Sequence, residues 1–167
     1  MVGLAWIGVA HPTARADKPS EVSVKAAFVV SFLKFVEWPP TPAGTPMVLV
    51  VVGDGPMADA LKSGTDGLQI GGRPVHMRLA RQPDDVDAAD AVFIAASQQR
   101  HVPGILRQLD RRTVLTIGDG EGYAASGVVL NLVIQDDRVR VEANTAAAAR
   151  AGLRVSAHLL RLARIVG

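Results

Sequence analysis

"MVLVVVGDGP", Met47 to Pro56, is six apolar residues, four of them valine, breaking into Gly-Asp-Gly. Such a run has no polar face, so it reads as a strand buried on both sides, as in a parallel sheet covered by helices. The glycines make the turn, and "PMADALKSG" then reads as a short helix whose end is marked by Gly64. One strand, one turn and one helix already argue for an α/β fold.

Working outward, the unit repeats. "RPVHMRLA" alternates and predicts a second strand from about Pro74 to Leu79, and "DAVFIAAS" predicts a third, buried one. Ser97 is placed to cap the helix "QQRHVPGILRQL", with Pro103 marking a kink or its true first turn. "RTVLTIGDGEG" is the fourth strand, closing in another Gly-Asp-Gly, and "GYAASG" holds one helical turn. Two alternating runs in "VVLNLVIQDDRVRVEAN" flank Asp136-Asp137 and predict a β-hairpin. Asn144 or Thr145 caps "AAAARAG", ending at Gly152, and Ser156 caps a last helix, "SAHLLRLARIV". The expected architecture is one α/β layered domain: a mostly parallel central sheet, an antiparallel edge hairpin and helices on both faces.

Upstream lies "VKAAFVVSFLKFVEWPP", Val24 to Pro40. Ser20 can cap it, with Glu21 in the first turn, and Pro39-Pro40 should stop it. On a helical wheel Ser31, Lys34 and Glu37 share a narrow polar stripe, while Lys25 lies opposite, near the start, where its stem can snorkel. A span needs roughly 20 apolar residues, so this charged segment is a core helix rather than a membrane anchor. "MVGLAWIGVAHPTARADKP" differs: a short apolar run precedes Ala14-Arg15-Ala16, a signal-peptidase pattern. Residues 1–16 are expected to be an export leader cleaved before Asp17. The missing positive n-region reads as a start codon lying upstream.

Composition narrows the function. The 167 residues suffice for one domain, and 49% hydrophobic with 20% charged content is globular. The net charge of +2 is spread along the chain and only 4% of residues are aromatic, so no nucleic-acid partner is expected. Absence of cysteine excludes disulfides, thiolate catalysis and thiolate metal sites. The glycine turns lack both G-x-G-x-x-G spacing and a P-loop lysine, and their acidic residues would repel phosphate, so they read as plain strand-to-helix turns. His11, His76, His101 and His158 are isolated, and no metal is expected. Ser97 lacks a nucleophile elbow, and Asp84, Asp85, Asp87 and Asp90 read as a solvated acidic loop. No enzyme activity and no cofactor are expected.

Three blocks, "KAAFVVSFLKFVEWP", "VLTIGDGEGYAASGVVLNLV" and "DRVRVEANTAAAARAGLRVSAHLLRLARIV", resemble the YfiR-like family of exported bacterial proteins, in family order and over essentially the whole chain after Asp17. The resemblance implies a periplasmic α/β protein that represses a membrane-bound signalling protein, a diguanylate cyclase or sensor kinase, by binding its periplasmic domain, and that forms homodimers. It carries partner- or ligand-binding roles onto Glu142, Asn144 and Arg154. Ser156 stands where the family has a histidine and Ala148 where it has a larger apolar residue, and with no cysteine the family's disulfide chemistry is lost. The same residues have plainer readings: Glu142 pairing with Arg140 or Arg154, Asn144 capping a helix, and His158, Arg161 and Arg164 forming a solvated stripe. The alternative function is a periplasmic small-molecule-binding module, with a ligand in the crevice at the carboxyl ends of the parallel strands.

Overall fold

The computed structural model describes residues 19–167; the expected leader, its cleavage point and His11 lie outside the described residues. In chain order the elements are α1 (Glu21–Phe35), β1 (Val36–Glu37), β2 (Met47–Val52), α2 (Pro56–Thr65), β3 (Gln69–Ile70), β4 (Arg73–Leu79) and β5 (Ala91–Ile94). A 3₁₀ turn (Ala96–His101) leads into α3 (Val102–Gln108), then β6 (Leu115–Gly118), β7 (Leu130–Gln135), β8 (Arg138–Ala143), α4 (Thr145–Arg150), β9 (Arg154–Val155), α5 (Ala157–Leu162) and β10 (Ala163–Ile165).

An eight-stranded sheet runs in the order β10-β8-β7-β6-β5-β2-β4-β3, parallel except for the β7–β8 hairpin and the β3–β4 pair. A second, two-stranded sheet pairs β1 with β9 antiparallel, Val36 opposite Val155. The valine run is the interior strand β2, flanked by β4 and β5. Its residues divide by parity. Leu49 and Val51 face the core shared with α1, α2, α4 and α5, while Val50 and Val52 face the core under α3. Both faces are covered, which is why the run carries no polar alternation. The hairpin turns on two residues, Asp136 and Asp137, at φ of 50° and 55°, the left-handed pair of a type I′ turn.

Caps fall where expected on three helices. Ser20 accepts from the Ser23 N–H, Asn144 from Ala147 and Ser156 from Leu159. Helix α1 buries Ala26, Val29, Phe32 and Leu33, spaced three and four apart, so it is a core helix with one inward face.

Five details differ from the sequence reading. Helix α1 ends at Phe35, short of the prolines, because Val36 leaves to pair with β9; the Trp38 indole N–H then donates to the Leu33 carbonyl at 3.1 Å. Lys25 does not snorkel to water: its ammonium is held inside by Glu21 at 2.7 Å and Asp119 at 3.4 Å. Gly64 lies within α2, where it permits close approach to α1; a Cβ there would sit 3.3 Å from a Val30 methyl. Ser97 caps nothing, since the chain enters α3 through a 3₁₀ turn, although Pro103 does fall in the first turn of α3 as expected. The last helix stops at Leu162 because Ala163–Ile165 pairs with β8, so Arg164 belongs to an edge strand and not to a helical stripe.

Candidate functional site

The polar residues buried near the carboxyl end of β6 form one connected rung. Cross-strand register places Gly118 beside Asn131, Asn131 beside Glu142, and Glu142 beside Arg164. Leu130, Leu132, Val141 and Ala143 all face the α1 side, so Asn131 and Glu142 point to the opposite face by strand alternation. There the Asn131 amide donates to the Gly120 carbonyl at 2.8 Å and to Glu142 Oε2 at 3.0 Å. Glu142 Oε1 accepts from the Arg164 guanidinium. Two acceptors on the Asn131 nitrogen fix the amide's orientation, leaving its Oδ1 buried without a partner and facing Gly118.

The rung continues toward α1 through the turn after β6. Asp119 accepts from the Ala96 N–H at 2.7 Å and pairs with Lys25. Burial disfavours the Lys25 charge, but Glu21 and Asp119 outweigh it and hold the pKa above the ordinary lysine value. A nucleophilic or general-base lysine needs the opposite shift, so Lys25 serves as a fixed charge joining α1 to the sheet. The Tyr123 ring fills the space left by Gly118 and Gly120, where any Cβ would collide with it. Its hydroxyl donates to the Ala95 carbonyl at 2.9 Å, with the Ala96 carbonyl at 3.2 Å. Burial and the Asp119 charge push the phenol up to about 12. The second Gly-Asp-Gly turn therefore makes room for the protein's own tyrosine.

The residues singled out from the sequence separate by environment. Glu142 and Asn144 are buried, 5% and 6% exposed. Glu142 pairs with Arg164 rather than with Arg140 or Arg154. Asn144 caps α4 and donates to the Ala124 carbonyl at 2.9 Å, tying α4 to the turn after β6. Arg154 is on the surface in the smaller sheet, 3.4 Å from Glu37, itself exposed. Near it the His158 ring lies 5.2 Å from Phe35, and Leu162 and Ile165 are exposed on α5 and β10. The acidic loop is partly structural: Asp90 accepts from Arg73 at 2.9 Å and from the Val48 N–H at 2.8 Å. Asp85 accepts from the Arg81 N–H, which with Arg78 keeps its carboxyl below the usual range. No cluster of three metal-ligating side chains occurs among the described residues.

Lys25, Asp119, Tyr123 and Asn131 went unselected in the sequence. Asn131 carried a usable signal, a lone polar residue at an inward position of "VLNLV", because a buried amide must find partners. The others had none, since Lys25 meets Asp119 across 94 residues and Tyr123 reaches Ala95 across 28.

The family model described as YfiR/HmsC-like matches residues 22–164. The fold is similar to the crystal structure of a conserved domain protein from Vibrio cholerae O1 biovar eltor str. N16961, with a TM-score of 0.61 at 13% identity. The match covers 89% of this chain and 60% of that one, so this chain spans about three fifths of its length. At that identity the likeness concerns fold alone. The family match covers most of the chain, which belongs to the YfiR/HmsC-like family. Among the described residues no helix is long and apolar enough to cross a membrane.

Proposed function

We propose that this YfiR/HmsC-like chain is an exported regulatory protein that restrains an inner-membrane signalling protein, a diguanylate cyclase or sensor kinase, by docking on its periplasmic domain. The observation that carries the reading is the family match over residues 22–164. The exposed side chains of α5 support it, because His158 packs on exposed Phe35 and shares that helix with exposed Leu162 and Arg161, while Arg154 is exposed on the strand just before it. Interfaces concentrate their energy in such apolar centres flanked by arginine. In this reading Arg154 touches the partner directly. Glu142 acts through Arg164, holding β10 on the sheet, and Asn144 acts by fixing α4. Residues 1–16 serve as the leader, and the mature chain begins at Asp17 and forms homodimers.

The test is genetic and biochemical. Deleting the gene should raise cyclic-di-GMP or kinase output, wild type should restore it, and Leu162→Asp or Arg154→Glu should not, while both variants stay folded. Solubilised membranes should yield a cyclase or kinase on wild-type bait and lose it on Leu162→Asp. Unchanged signalling in the deletion strain, with no such partner recovered, refutes the reading. Mass spectrometry of the mature N-terminus and light scattering of the purified chain check the leader and the dimer.

A further inference from the structure

Away from that surface, a cavity of about 620 Å³ opens between α3, the start of β6, the turn at Ser126-Gly127 and α4. We propose that it binds a small organic anion with an apolar body and a terminal carboxylate or phosphate monoester. The volume falls within the roughly 300–1,000 Å³ typical of small-molecule sites. Its walls include Leu106, Leu109, Val114, Val129 and Ala151, which suit an apolar body.

The charge is one-sided. Arg107 on α3, Arg111 and Arg112 in the turn after it, and Arg150 at the end of α4 all line the cavity, against one acidic residue, Asp110. Asp110 meets Arg111 only at 3.9 Å, with both side chains largely exposed, and Arg112 lies 3.6 Å from Asp87 outside the lining. Among the described residues Arg107 and Arg150 have no acidic partner within ion-pair distance. Guanidinium groups match carboxylate and phosphate oxygens two at a time, so two unpaired ones at one mouth select an anionic group. Arg111 sits at φ 62°, a conformation L side chains rarely adopt.

The floor adds a polar group. Thr116 is 4% exposed and lines the cavity. Its oxygen accepts the Val129 N–H at 2.9 Å, so its hydroxyl hydrogen remains to be donated to a ligand oxygen. Apolar walls, a buried donor and a cationic rim together orient an amphiphilic anion. The glycine-turn crevice lacks this combination because Tyr123 fills it.

Calorimetric titration of the full chain with 1-naphthyl phosphate and with decanoate, beside neutral 1-naphthol and decanol, tests the proposal. The anions should bind at least tenfold more tightly than their neutral counterparts and raise the melting temperature. Arg107→Glu with Arg150→Glu, both at exposed positions, should weaken anion binding tenfold or more, whereas Arg138→Glu at the exposed hairpin should leave it within twofold. Thr116→Val should weaken it several-fold, and the exposed rim variants decide the matter if that variant does not fold. Equal binding of anions and neutral analogues, or undiminished binding by the doubly reversed variant, overturns the proposal. Sedimentation with phosphatidylglycerol vesicles, without binding of either monomeric anion, also overturns it in favour of a membrane-surface contact. No partner protein enters the assay, so failure here leaves the regulatory reading untouched.

Discussion

Replacing Tyr123 by phenylalanine keeps the ring that fills the space beside Gly118 and Gly120 and removes only the hydroxyl. At neutral pH the loss is one hydrogen bond to the Ala95 carbonyl, which is half-buried and can recover water, so the cost is about 1 kcal/mol. Alkali should reverse this. The folded-state pKa of about 12 lies above the ordinary 10.0, so the folded chain holds the phenolic proton while the unfolded chain releases it. The wild-type contribution is then complete below pH 10 and declines as pH rises toward 12. Two pKa units correspond to about 2.7 kcal/mol, and with the hydroxyl near the surface turn we take roughly 1–2 kcal/mol after solvent screening. The variant has no such proton, and Lys25, whose raised pKa acts in the same alkaline range, is common to both chains. The stability gap measured by urea unfolding should therefore shrink from about 1 kcal/mol at pH 8 to near zero around pH 11. Tyr123 is the only tyrosine, so its absorbance titration near 295 nm reports it alone. A native midpoint near that of the urea-unfolded chain, or a stability gap constant from pH 8 to 12, would refute the reasoning.

Gly120→Ala should cost roughly 1–3 kcal/mol by forcing a methyl into the Tyr123 ring, and most of that cost should vanish in a Tyr123→Ala background, giving a coupling readable from a double-mutant cycle. Arg164→Ala strips Glu142 of its counter-charge, but the guanidinium is largely exposed, so a loss of about 1–2 kcal/mol is expected in thermal unfolding, with Glu142→Gln in the same background recovering part of it. Phe32→Ala removes a fully buried aromatic from α1 and should lower stability by about 3–5 kcal/mol in denaturant melts. Asp137→Gly relieves a left-handed non-glycine residue in the hairpin turn and should raise the urea midpoint, by about 0.5–1 kcal/mol of stability.

Local rules carried much of the fold into the sequence. Ser20, Asn144 and Ser156 cap helices because a short side-chain oxygen reaches back to a free N–H within its own first turn. Asp136-Asp137 marks the hairpin because both residues tolerate positive φ between alternating runs. Where the reading stopped short, a distant segment competed. Val36 continues a helical pattern yet pairs with Val155, and Ala163–Ile165 leaves its helix for β8. The site divides the same way. Asn144 was legible as a cap, while the partner of Glu142 was not, because three arginines lay within reach by sequence and only strand register puts Arg164 opposite it.

By itself the sequence determined the layered α/β class, the buried interior strand at Met47–Val52, the hairpin and the family, all of which follow from periodicity, turn chemistry or residue identity within short windows. Tertiary structure alone decided that Lys25 is buried against Asp119, that Tyr123 occupies the second glycine turn, and that Arg107 and Arg150 line one cavity. The first and last join segments far apart in the chain, and the second depends on the Tyr123 hydroxyl reaching Ala95, 28 residues away. Their energies depend on burial and on distances of a few ångströms, which the sheet order sets.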